Sequence, residues 1–401
     1  MTNQKTNELR PKLLGPNALN PFQGNTSSAR GAMFATHLGQ MLVLNGSQPR
    51  VIQTGMEREY GKYTFKVEMP ETGVILDIIP RYQQTVGQDS IPGNPQTIVV
   101  YESVETKEIG IINLADYSCN HQYFGFRYKE QRGMSEIRVG NTIQKGTIFL
   151  NSPSVSDEGD YKYGVMANVA YMTHPATSED GILISEDFLP KLGFRTYETR
   201  TVDWGRNGFA LNLYGDAQNY KPFPELGQAV RADGILMAVR TYEHSVLAPV
   251  ERSVEDCMQV HHNFDKTTYA APGGRIVDIK IHHHHQDTNI APVHTDLLVQ
   301  RYDQAYRVFC KKIVDVWRKY HRMRGQALQI TPEFHNLVVQ AQSVCSDDGE
   351  HKIAKIFHKA PLNTFRAEIV IEYDIIPTTG FKLTDTFGKN LKPRVGPKHM
   401  L

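Results

Sequence analysis

Glu179 and Asp180 stand side by side ahead of a short apolar run, Gly181-Ile182-Leu183-Ile184, and a second acidic pair, Glu186-Asp187, follows it. Adjacent carboxylates at the start of a strand have two explanations. Either a strand leaving a loop begins with charge that water solvates, or the carboxylates face a cation. The histidines His282 to His285 form the next chemically capable group. Imidazoles bind metals, but alternate side chains of a strand face opposite sides, so consecutive histidines cannot converge on one ion. A solvated loop or strand end is the expected setting for them. The cysteines Cys119, Cys257, Cys310 and Cys345 are far apart with no CxxC pair, which argues against a zinc site and against a disulfide framework.

The elements that must position such groups are legible in the pattern of apolar residues. "TSSARGAMFATHLGQMLVL" reads as a helix, with Thr26 or Ser27 as cap and Met33, Phe34, His37, Leu38 and Met41 at helical spacing. From about Val51 to Leu150 the chain reads as strands: "KYTFKVEM", "GVILDII", "QTIVVYES", "EIGIINL" and "NTIQKGTIFL", separated by Gly, Pro and Asn turns. No helices alternate with them, so a Rossmann arrangement is excluded and small sheets or barrels are expected. "DEGDYKYGVMANVAYMTHPATSEDGILISEDFL" is again strand-rich, and "LGQAVRADGILMAVRTY" has the Asp-Gly turn of a small β-module. A long helix follows Thr295 or Asp296, with Leu298, Tyr302, Ala305, Phe309, Ile313, Val316 and Tyr320 as its apolar stripe. Its other faces are basic (Arg301, Arg307, Lys311, Lys312, Arg318, Lys319, Arg322, Arg324) and suit either solvent or a nucleic-acid backbone. "TPEFHNLVVQAQS" reads as a second helix capped by Thr331, and "TFRAEIVIEYDII" returns to strand.

The bulk properties set bounds. The chain has 401 residues, 40% apolar and 22% charged, enough for two or three domains with ordinary globular cores. No apolar run is long enough to span a membrane. The start lacks the apolar core of a signal peptide, so a cytoplasmic setting is expected. A formal net charge of +1 is too small for a chain that coats nucleic acid alone, unless basic residues gather on one face or other subunits carry the charge.

Three separated stretches, taken in order, carry a resemblance: "NPFQGNTSSARGAMFATHLGQ", "VIQTGMEREY" and "GVMANVAYMTHPATSEDGILISEDF". Together they resemble the second-largest (β) subunit of multisubunit DNA-dependent RNA polymerases. There the first stretch reads F-L-E-H-D-D-A-N-R-A-L-M-G-S-N-M-Q-R-Q, and Phe22, Arg30, Met33 and Gln40 reproduce its spacing. The second is similar to T-G-M-E-R. "SEDGILISE" is similar to N-x-E-D-A-I-L-I-S-E, and "VGNTIQKGTIFLNSPSVSDEG", "LGQAVRADGILMAVR", "GGRIVDIKI" and "GFKLTDTFG" follow the family's order. The resemblance runs from about Asn17 to Gly388 and is loose between Val254 and Asn363. There are departures: Asn25-Thr26-Ser27 replaces the acidic pair, Ala29 replaces the Asn before the Arg, and one residue is missing in "THPATSED". Cellular β subunits are much longer, and this chain begins almost at the first motif. Split β subunits of this kind are typical of large (phiKZ-like) bacteriophages, and the chain resembles their C-terminal β part.

The resemblance implies a mainly β fold with a helical insert (α+β): part of a double-psi β-barrel plus accessory β-modules. It divides the chain into a motif segment (1–50), a β-rich region with the Ser-Glu-Asp motif (51–253), a helical insert (254–362) and the start of the C-terminal barrel strands (363–401). It implies a DNA-directed RNA polymerase subunit, inactive alone, working in the cytoplasm of an infected bacterium or packaged in the virion. Glu179 and Asp180 would flank the second of two Mg²⁺ ions in its outer shell, the main aspartate ligands lying on a separate β′ subunit. Arg30 would grip the NTP triphosphate and Lys382 the RNA 3′ end or NTP phosphates. Gln40 would touch the RNA or simply lie on a polar helix face. The implied partners are a β N-terminal fragment, β′-like subunits, DNA template, RNA product, NTPs and a phage specificity subunit, with no membrane. The resemblance fails after Gly388, inside a motif, so the completing barrel strands are expected from another polypeptide or from a spliced reading frame. The break inside a motif favours splicing. The competing expectation is a β-rich phage structural or assembly protein without catalytic activity.

Overall fold

The computed structural model describes residues 14–82, 91–121, 124–177, 181–205, 208–241, 254–284, 297–345, 364–378, 381–384, 390–391 and 394–396. It is a mixed α+β structure of mostly antiparallel sheets, one of them curled into a half-barrel. That half-barrel has six strands in the order β14-β13-β12-β11-β16-β15. They are β11 (Phe194–Gly205), β12 (Gly208–Ala210), β13 (Ile235–Thr241), β14 (Asp265–Tyr269), β15 (Arg275–His284) and β16 (Thr364–Ile375). β11 and β16 pair along their whole lengths, from Phe194 opposite Ile375 to Gly205 opposite Thr364. A smaller sheet, in the order β4-β3-β2-β8, is built from β2 (Gly73–Pro80), β3 (Gln96–Ser103), β4 (Ile109–Ala115) and β8 (Thr142–Ile143). Around it lie β1 (Lys66–Glu68), β7 (Lys129–Glu130) and β9 (Ile148–Asn151) in one sheet, and β5 (Tyr117–His121) with β6 (Phe124–Arg127) in another. Short pairs join β10 (Leu183–Ser185) to β19 (Arg394–Gly396) and β17 (Leu383–Thr384) to β18 (Asn390–Leu391).

The helices are α1 (Ser28–Gly39), α2 (Glu57–Gly61), α3 (Val254–Met258), α4 (Leu297–Arg324) and α5 (Pro332–Val344). α4 joins the two large sheets. Its first turns place Leu298, Val299 and Tyr302 in the half-barrel core with Leu236, Ile279, Ile281, Ala367 and Ile369. Its later turns place Phe309, Ile313, Val316 and Tyr320 against Ile79, Ile98, Val100 and Ile109 of the smaller sheet, with Phe334 and Val338 of α5. The stripe expected from the sequence is therefore one stripe serving two cores. Thr331 caps α5 as expected, its Oγ1 accepting from the Phe334 N–H. The other face of the smaller sheet packs Ile75, Val99 and Ile112 on Phe149 and Leu150 of β9. Among the described residues, no helix is long and apolar enough to cross a membrane.

Several elements differ from the sequence reading. The helix of the first motif stops at Gly39, so Met41-Leu42-Val43-Leu44 is not helical. "NTIQKGTIFL" is two short strands broken at Gly146, whose φ of 82° a side chain would strain. "KYTFKVEM" is strand only over Lys66–Glu68. Within the stretch read as strand-rich before Gly181, residues 165–174 form no strand, and none of residues 167–173 bonds its backbone to another described residue. The histidine run, expected in solvent, belongs to β15. His282 and His284 are buried on one face, while His283 turns to the other and stacks on Phe365 at 3.9 Å between centroids. A ten-residue strand with Ile276, Ile279 and Ile281 buried in the core runs inward, and the histidines follow it. His285 lies outside the described residues.

Candidate functional site

Arg30 sits in the first turn of α1. Ser27 caps that helix, its Oγ accepting from the Arg30 N–H at 3.3 Å. The first turn carries no acid. Helix dipoles favour anions at this end, so a cation here works against helix stability. An arginine at this helix start makes sense when an external anion is the partner. The guanidinium is partly exposed, and no ion pair involves it among the described residues. Gln40 is the exposed C-cap residue of the same helix, its N–H donating to the His37 carbonyl at 3.1 Å.

α1 is held by a compact core. Phe34 packs with Ala18, Leu19 and Met56, flanked by Leu38, Tyr60, Tyr161 and Tyr163. Met33, placed on the apolar stripe by sequence, faces solvent instead. Arg50 donates to the Leu19 carbonyl at 2.9 Å, bonds the Tyr163 hydroxyl and lies over the Tyr163 ring. Burial pushes the Tyr161 phenol up to about 12. The "TGME" of the second motif is a cap: the buried Glu57 carboxylate accepts from the Thr54 N–H at 2.9 Å and from the Thr54 hydroxyl at 3.2 Å. The Glu57 carbonyl then accepts from the Tyr161 N–H at 2.9 Å. Glu57 is thus structural, and the motif's part in the site is to hold α1.

The third motif is tied to the first two through a second small core. Ile184 of β10 packs with Leu189 and Leu192, and Leu44, Val165, Phe188 and Leu383 pack against this group. Leu44 follows α1 and bridges Phe194. Asn45 bonds both Gly193 and Asp374, and Gln48 bonds Gly164 and Met166. Leu383 follows Lys382 directly, and Phe381 before it meets Phe194 at 6.1 Å. Lys382 itself is exposed. Stretches far apart in sequence, those of Arg30 and Gln40, of β10 and of Lys382, therefore converge on linked cores.

Glu179 and Asp180 lie outside the described residues. The second acidic pair has a local explanation. Glu186 and Asp187 open the 3₁₀ helix Glu186–Leu192, and the Ser185 hydroxyl caps it by accepting from the Asp187 N–H at 3.3 Å. Among the described residues no cluster of three or more His, Cys, Asp or Glu side chains could hold a metal ion. Two adjacent carboxylates fit Mg²⁺ as outer-shell oxygen groups but do not complete a site.

A feature that sequence reasoning missed lies beside this site. Met166, Val169, Tyr171 and Met172 are exposed, Tyr171 to 97%, and so are Val51 and Ile52. The signal was present in the sequence as an apolar stretch with no alternation to fix a face. No protein-family model matches the chain, and a search of curated proteins gives no match.

Proposed function

We propose that this chain is the C-terminal part of the β subunit of a phage multisubunit RNA polymerase, contributing NTP and RNA 3′-end contacts to template-directed RNA synthesis. The observation that carries the reading is convergence. Three motif stretches and the Lys382 segment match the family only as a set, and two linked cores hold them together. An arginine in the acid-free first turn of α1 supports a triphosphate ligand, because the guanidinium fork and the helix N–H groups both favour phosphate oxygens.

In this reading Arg30 binds and orients the triphosphate, Lys382 neutralises phosphate at the RNA end, and Glu179 and Asp180 orient water around the second Mg²⁺. When bound, this second Mg²⁺ would neutralise charge on the triphosphate and the leaving group, the attacking hydroxyl being activated by the first ion on the β′ subunit. The fold is read as part of a double-psi barrel that other polypeptides complete. The exposed run 167–173, which makes no backbone hydrogen bond to another described residue, supports that, since an exposed apolar segment gains from a partner. A β N-terminal fragment and β′-like subunits are the partners proposed, in the cytoplasm of the infected host or in the virion.

The test is Asp180→Ala in the assembled complex. Assembly should persist, the KM for NTP should rise and nucleotide addition should slow. Unchanged elongation at limiting NTP would remove the carboxylate pair from the chemistry. The same exposed run also suits a β-rich phage assembly protein, which would form homo-oligomers and contain no NTP site.

A further inference from the structure

The outer face of α4 is strongly basic in a chain of net charge +1. Between Lys311 and Arg322 the exposed residues are Lys311, Asp315, Arg318, Lys319, His321 and Arg322, so a single acid is set against four fixed cations. Arg318 approaches Asp315 at only 4.0 Å, and Lys311, Lys319 and Arg322 have no ion pair among the described residues. The opposite side of these turns is buried through Ile313, Val316 and Tyr320, so the cations point away from both sheets. The acids near the helix end belong to the smaller sheet, and Glu102 is already taken by Arg324 at 2.8 Å.

From Lys311 to Arg322 the helix rises about 16 Å, a length over which one strand of DNA carries about five phosphates. On the flank of the same turns Trp317, which packs against the core beneath, stacks with His321, centroids 5.1 Å apart and planes 14° apart. Cations without an ion partner, spaced along a straight helix, suit the regularly spaced phosphates of a duplex backbone. A membrane surface fits less well, because the exposed apolar side chains of this part of the helix are only Val308 and Met323, one at each end of the ridge, and form no continuous face to enter lipid.

We propose that this face of α4 is a binding ridge for the phosphate backbone of duplex DNA, without sequence preference. The ridge stands on charge and geometry alone, so its loss would leave the NTP-site reading untouched. The chain contains two tryptophans, and Trp204 is buried against Phe365, so the fluorescence of the full-length Trp204→Phe protein comes from Trp317, on the flank of the helix that carries the ridge. Mixed-sequence duplex DNA should quench that fluorescence, with affinity falling linearly as log salt rises. The triple variant Lys311→Gln, Lys319→Gln, Arg322→Gln should lower the salt slope by about 2–3 and weaken binding at least about tenfold at 0.1 M salt. The charge-preserving set Lys311→Arg, Lys319→Arg, Arg322→Lys should keep both, which separates charge loss from misfolding. Equal affinity and slope for the wild type and the Gln variant would overturn the proposal. So would quenching by vesicles of equal phosphatidylglycerol and phosphatidylcholine, or by single strands, but not by duplex.

Discussion

Arg81 and Asp278 form a buried ion pair, Nη1 to Oδ1 at 2.5 Å, between the end of the smaller sheet and the bulged start of β15. Both side chains are about 5% exposed or less. The Tyr117 hydroxyl adds a bond to Asp278 at 3.3 Å, Arg81 also bonds Gln96, and Tyr82 bonds the Ile279 carbonyl. Arg81→Met should cost about 3–5 kcal/mol, because it strands a buried carboxylate. Arg81→Met with Asp278→Leu should recover much of that loss. Denaturant midpoints of both variants check it, and a double variant as weak as the single would mean that packing, not charge, is at stake.

Gly61 and Gly159 lock the second motif to the loop after β9. A Cβ on Gly61 would lie 2.0 Å from the Gly159 carbonyl oxygen, and backbone cannot step aside. A Cβ on Gly31 would meet only the Asn17 side-chain amide, at 2.7 Å, which can turn. Gly61→Ala should therefore destabilise by roughly 2–3 kcal/mol or more, and clearly more than Gly31→Ala. Thermal melts of the two variants give the comparison, and the reverse order would contradict the close approach.

His282 is held well below its ordinary 6.5, at about 4, by burial first and then by the charges of Lys280 and Arg307. Between these values the unfolded chain binds a proton that the folded chain refuses. Stability from this residue is thus whole above pH 6.5 and is lost as pH falls towards 4, on the order of 3 kcal/mol in all. His282→Gln should flatten that part of the stability profile. An unchanged acid limb in the variant would assign the loss to other groups.

Arg30→Ala in the assembled complex should lower kcat/KM for NTP by a factor corresponding to roughly 2–4 kcal/mol, with template binding near normal. Arg30→Lys should restore only part, since an ammonium lacks the planar fork. Single-nucleotide addition kinetics would measure this. Loss of template binding with intact NTP use would make Arg30 a DNA-contact residue.

Much of the fold was legible because burial leaves a period. The α4 stripe, the Thr331 cap and the strands β2, β3, β4, β13 and β16 coincide with, or lie within, runs that alternate or repeat every three to four residues, whereas β11 lies outside every run read as strand. What failed had no period to read. The histidine run says nothing about which strand carries it inward. Residues 167–173 carry apolar groups with no alternation, and none bonds its backbone to another described residue. Of the site, the helix that presents Arg30 was readable from Ser27 and Phe34, whereas the joining of Leu44, Ile184 and Leu383 is long-range packing that spacing does not encode. The expected cap, Thr295 or Asp296, the carboxylates Glu179 and Asp180 and the chain beyond Gly388, apart from residues 390–391 and 394–396, lie outside the described residues.

The most direct test of the central claim is native mass spectrometry of the complex that this chain forms in infected cells. A polymerase subunit should appear in one heteromeric mass with large β′-like chains and a β N-terminal fragment, and that species should incorporate NTPs on a DNA template. Recovery of the chain only as a monomer or as homo-oligomers, with no nucleotidyl transfer in any fraction that holds it, would contradict the account.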